Sequence, residues 1–107
     1  MADVLTGKGY VATTSQAAGL TAGGSETITQ IGCAVANVNE SSAYWITAII
    51  NRDGGVDTEL CHKISIPVSD SLDLLQGKVV LNSGDSIDFI GEAGSALEIN
   101  LSYLVQT

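Results

Sequence analysis

The chain has 107 residues, 45% of them hydrophobic, and carries twelve Asp and Glu against four Lys and Arg, a formal net charge of -8. A chain of this size buries roughly 65% of its unfolded surface, enough for one domain with a modest core. The acidic balance repels phosphate backbones and argues against nucleic-acid binding, while scarce aromatics and abundant Gly, Ser, Thr, Val and Ile favour strands and turns over helices.

The first segment, Met1 to Ser25, is rich in Gly, Ala, Ser and Thr and poor in large apolar residues. It reads as an extended N-terminal arm with one short strand over Tyr10 to Thr14, a segment that orders by lying on something else. No basic start followed by an apolar run succeeds Met1, so the expectation is a protein made in the cytoplasm without a secretory leader. From Glu26 onward the pattern becomes regular, giving a second region, 26–107. In "TITQIGCAV" the alternation places Ile31, Cys33 and Val35 on one face of a strand.

Tyr44 to Arg52 follows as a strand with bulky apolar groups on both faces: Tyr44, Ile46, Ala48 and Ile50 on one, Trp45, Thr47 and Ile49 on the other. Such a strand is either covered on both sides or meets another subunit. Trp45 is the natural anchor of such an interface. Tyr44, Trp45, Thr47 and Ile49, with Leu5, Tyr10 and Val11 of the arm, form the candidate interface set. The apolar stretch Ala43 to Ile50 is far shorter than the ~20 residues of a membrane helix, and no membrane partner is expected.

Further strands are expected over Thr58 to Pro67, Ser71 to Leu75, Lys78 to Leu81, Ser86 to Gly91 and a closing strand from Leu97 to Val105. In the last, Leu97, Ile99, Leu101, Tyr103 and Val105 share a face. Between the strands lie turn signals such as Asp53-Gly54-Gly55 and Asn82-Ser83-Gly84-Asp85. Short strands about ten residues apart, broken by Gly-rich turns, predict a single all-β antiparallel β-sandwich or jelly-roll-like domain.

Catalytic chemistry finds little footing. The chain has a single His, His62, whose neighbour Cys61 points to the opposite face of a strand, so the two do not form a nucleophile and base pair. His62 shares parity with Leu60, Ile64 and Ile66 and reads as a half-buried strand residue. Cys33, Cys61 and His62 lack the spacing and the fourth ligand of a zinc site. Asp53 and Asp57, or Asp85 and Asp88, read as polar turns and not as the ligand series of a calcium loop. No cofactor and no enzymatic activity are expected. Cys33 falls on the apolar face and Cys61 with Lys63 and Ser65 on the polar one, which argues for two free thiols, Cys61 being the better placed for an intersubunit disulfide.

The order "IGCAVANVNESSAYWITAII" then "HKISIPVSDSLDLLQGKVVLNSGDSIDFIGEAGSALEINLSYLVQ" resembles small β-sandwich virion proteins of tailed bacteriophages. The resemblance covers Glu26 to Gln106 and is carried by Ala36-Asn37, Ile66-Pro67, Ser71-Leu72, Leu81, Gly84-Asp85 and the closing strand. The chain has "LTAGGSETIT" where many tail-associated members have a Val-Pro-Ala-Gly-Lys opening. What the resemblance implies is a structural protein located on the virion, acting as a symmetric homo-oligomer, often a trimer. The expected function is a capsid decoration, or cement, protein bound to the major capsid protein. The alternatives are a neck, collar or tail component docked on other virion proteins, and a receptor- or glycan-binding head domain using Trp45.

Overall fold

A computed structural model describes residues 3–75 and 77–107. Among these the chain forms nine strands: β1 (Asp3–Val11), β2 (Ala17–Thr21), β3 (Thr27–Asn37), β4 (Tyr44–Asn51), β5 (Thr58–Ile66), β6 (Ser71–Asp73), β7 (Val79–Leu81), β8 (Ser86–Gly91) and β9 (Leu97–Gln106). They make two antiparallel sheets. The first, sheet A, has the order β1-β9-β3-β6, with β7 also on β3, and the second, sheet B, the order β2-β8-β4-β5.

The pairings are nested. β4 pairs with β5, β3 with β6 and β7, β2 with β8, and β1 with β9, as in one long hairpin folded about the β4–β5 turn. Rolling that hairpin up brings β9 onto β3 and β8 onto β4, which closes the two sheets. This is jelly-roll connectivity, with β6 and β7 sharing the position of one broken strand. The expected all-β sandwich is therefore the fold of the protein.

Residues 3–25 form no separate arm in this structure. Asp3–Val11 is an edge strand of sheet A and Ala17–Thr21 an edge strand of sheet B. The short strand expected over Tyr10 to Thr14 ends instead at Val11, and Ala12 and Thr13 cross between the sheets. There the Ala12 N–H donates to the Leu97 carbonyl at 3.0 Å and the Gly91 N–H to the Thr13 carbonyl at 2.8 Å. Few apolar residues suffice because the right ones are buried: Ala12, Leu20 and Ala22 all enter the core. Gly19 sits at a register shift of β2 and makes room for Phe89, whose ring carbon would lie 2.7 Å from any Cβ there.

The core between the sheets is built from Ile28, Val35 and Cys33 of β3, Ile46, Ala48 and Ile50 of β4, Ile87 and Phe89 of β8, and Leu97, Ile99 and Leu101 of β9. The expected face of the closing strand is the core face, with Tyr103 and Val105 half-buried at its end. In β3 the expected row is broken. Ile31 is an extra residue between Gln30 and Gly32 relative to β9, a β-bulge that turns it out to 45% exposure. One inserted residue exchanges the two faces of everything before it, so Gln30 takes the buried place instead. Its amide nitrogen and oxygen are both buried without a hydrogen-bond partner.

Two motif positions meet at the opposite end. Asn37, at the end of β3, donates from Nδ2 to the carbonyls of Ile66 and Ser42, both at 3.0 Å, and accepts the Asn39 N–H at 2.9 Å. One buried amide thus fastens sheet A to the end of β5, just before Pro67.

Candidate interaction surface

The Asn82–Asp85 turn, which sequence reads as a corner, is a clamp between two turns. Gly84 has φ 88°, and a Cβ there would strike the Asp53 carboxylate. The buried Asp85 carboxylate accepts the Asn82 N–H at 3.0 Å, the Asp53 N–H at 2.8 Å and the Arg52 guanidinium at 2.8 Å. Arg52 also donates to the Val80 carbonyl at 2.7 Å. The Arg52 hydrogen bond, with the backbone donors behind it, holds the Asp85 carboxyl below its ordinary range against the opposing effect of burial. Asp88 is satisfied by Ser86 Oγ at 2.8 Å, Gln16 Nε2 at 2.9 Å and Asn51 Nδ2 at 3.3 Å. Among the described residues no three His, Cys, Asp or Glu side chains converge on a point that could hold a metal ion.

The seven candidate interface residues do not form one surface. Leu5 and Val11 are exposed, Leu5 at 69%. Tyr10 turns inward onto Phe89, ring centroids 5.8 Å apart, and Tyr44 packs half-buried against the core. Trp45, Thr47 and Ile49 lie on the outer face of sheet B, but that face is partly covered. Lys63 Nζ sits 5.2 Å over the Trp45 ring, while the buried Thr47 accepts the Lys63 N–H at 2.9 Å through Oγ1. The ring that would serve as a glycan platform thus already carries a cation.

The crowding around Trp45 follows from β5, which departs from simple alternation. Its register against β4 shifts twice, between Ile46 and Ala48 and between Ala48 and Ile49, and Lys63 adopts φ 49°. Each shift adds a residue and exchanges the faces. Two expectations are corrected as a result. His62 is exposed, with Nδ1 3.0 Å from Glu59 Oε2, and not half-buried with Ile64 and Ile66. Cys61 stands opposite Ala48, turns toward the core and donates from Sγ to the Ile46 carbonyl at 3.6 Å; it does not share a polar face with Lys63 and Ser65.

Both thiols are free and face the core from opposite sheets. Burial, with smaller contributions from Asp73 and from Cys61, pushes the Cys33 thiol up to about 12. Burial raises Cys61 as well. Neither thiol supplies much thiolate at neutral pH, and Cys61 is half-buried against the core.

Exposed apolar side chains collect instead on the outer face of sheet A. The register places Val80 of β7, Thr29 of β3, Leu104 of β9 and Leu5 of β1 in one row across four strands. Val80 is 43% exposed, and the bulged Ile31 stands beside the row. Next along the strands the same face is floored by Gly7, Ser102 and Gly32, then by Gly9, Asn100 and Ala34, so the row stands proud of a flat surface. Sequence reasoning passed over Val80 and Leu104 and set Ile31 on the face of Cys33 and Val35. Leu104 does break the polar series Glu98, Asn100, Ser102 on its face of β9, a signal that the alternation in the closing strand masked.

A shallow open cleft of about 240 Å³, lined by Ser25, Thr27, Gln106 and Thr107, lies at the same end of the sheet. No protein-family model matches the sequence, and no curated protein matches it either.

Proposed function

We propose that this chain is a structural protein of a tailed-bacteriophage virion, a decoration protein that docks on the outer capsid surface and bridges capsomers as a homo-oligomer. The observation that carries the docking surface is the row Val80, Leu104 and Leu5, with Ile31 beside it, on a part of sheet A floored by Gly7, Gly9, Gly32, Ala34, Asn100 and Ser102. Apolar groups grouped on one face and left in water are a feature of interaction sites. The resemblance over Glu26 to Gln106 supplies the virion context. Jelly rolls serve in viral capsids and in lectins alike, so the fold supports this reading by analogy only.

A weak contact per copy is sufficient for such a role. Many copies on a repeating lattice, or several sites on one oligomer, convert modest contacts into stable attachment. The test is cosedimentation of the purified protein with empty expanded capsids and, separately, with tail preparations. Saturable binding to capsids at a lattice-defined stoichiometry supports the proposal. Binding to tails or necks alone moves the protein to that location, and binding to neither overturns the virion reading.

A further inference from the structure

We infer that β1 is a homodimerisation edge: two copies pair antiparallel along Asp3–Val11 about a two-fold axis through Gly7, fusing their A sheets into one. This inference does not rest on the virion reading, because the pairing is a property of the isolated protein.

The backbone geometry fixes which groups are offered. β1 runs against β9 with Val11 opposite Glu98, and the next pair inward is hydrogen-bonded, the Ala12 N–H donating to Leu97. Hydrogen-bonded and non-hydrogen-bonded pairs alternate along an antiparallel ladder. Tyr10, Lys8, Thr6 and Val4 therefore direct their N–H and C=O groups to β9, whereas Val11, Gly9, Gly7, Leu5 and Asp3 direct theirs away from it. Among the described residues β1 pairs with β9 alone. A nine-residue row of about 30 Å is thus an unpaired edge that recognises another extended strand.

Each of the other edges carries a device that hinders such pairing. β5 has two register shifts and the left-handed Lys63, β2 has five residues and a register shift, and β6 and β7 have three residues each. β1 keeps an unbroken register along its whole length.

A second copy is the occupant these features fit. Asp3 and Lys8 are the charged residues before Glu26 and cancel, so the formal charge of -8 resides in the rest of the chain. β1 is a long edge of formal charge zero in a strongly acidic molecule, an approach along which two copies repel little; β5 is as long and as neutral, Glu59 balancing Lys63, but its register is broken. About Gly7 the strand is self-complementary. Gly7 meets Gly7 of the second copy, Leu5 meets Gly9, and Asp3 meets Val11, and these are the residues whose backbone groups point outward, so every outward donor finds an acceptor. Side chains agree: a Cβ on Gly9 would have nothing within 4 Å, leaving space for the exposed Leu5, and Val4, 53% exposed, falls opposite Tyr10.

The experiment is sedimentation velocity on the full chain from about 10 μM to about 1 mM, a range that brackets weak association, with amide hydrogen exchange at both ends. The expected result is a shift from 11.0 kDa toward twice that mass, strengthened by salt because screening weakens the mutual repulsion. Exchange at Leu5, Gly7, Gly9 and Val11 slows on the order of tenfold with concentration while Val4, Thr6 and Lys8 are protected throughout. Gly7→Pro, which removes an outward N–H and leaves the β9 ladder intact, holds the protein monomeric. A wild-type monomer at the highest concentration overturns the inference. So does an oligomer whose outward β1 amides exchange as fast as in the monomer, or a folded Gly7→Pro protein that still dimerises.

Discussion

Asp85 and Gln30 are both buried polar residues, and they stand at opposite extremes of satisfaction. Asp85 has three donors around its carboxylate and a depressed pKa, so its stabilising effect is complete above the ordinary carboxyl range near pH 3.9 and is lost as pH falls through its lower folded value. Asp85→Asn should lower stability at neutral pH by about 2 kcal/mol, having lost the charge-assisted bond to Arg52. It should also flatten the acid limb of a urea midpoint against pH curve; an unchanged limb would show that other carboxylates govern acid unfolding. Gln30 makes the opposite case. Replacing it with Met keeps the volume and removes two unpartnered atoms, so the unfolding free energy should rise by about 1–2 kcal/mol, read as a higher urea midpoint at constant m. A lower midpoint would mean that the amide is satisfied in solution.

Among the elements, what was legible in the sequence was alternation, and what was not was its interruption. β9 alternates without a break against both neighbours at its core end, and Leu97, Ile99 and Leu101 are buried as the pattern requires. β3 and β5 contain bulges, which add a residue without leaving any mark in a hydrophobic pattern, so Ile31, Cys61 and His62 all fell on the wrong face. Composition likewise misjudged residues 3–25, since Ala and Gly at Ala12, Gly19 and Ala22 are small because they pack closely, not because they are loose. Deleting residues 1–25 removes an edge strand from each sheet and uncovers Phe89 and Leu97. The truncated chain should show no cooperative unfolding transition, whereas a two-state transition with an unchanged midpoint would restore the reading of a dispensable arm.

Taken as a whole, the molecule has a partly covered face and an open one. The outer face of sheet B is partly covered by Lys63 over Trp45 and by the Asp88 network, while sheet A offers a flat surface with an apolar row at one end and an unpaired edge along β1. Pairing through β1 would extend that surface across two copies and present two rows to one lattice, which links the proposed dimer to avidity on a capsid. The location of the proposed docking row was not legible in advance because it is assembled from four strands, whose single residues look unremarkable in their own segments. The measurement that tests this account most directly is cosedimentation of Ile31→Asp/Val80→Asp with expanded capsids beside the wild type. Both residues are exposed and lie away from β1, so folding and dimerisation should persist while capsid binding falls at least about tenfold, the effect of ~1.4 kcal/mol. Capsid binding by the double variant equal to wild type would contradict the assignment of this face.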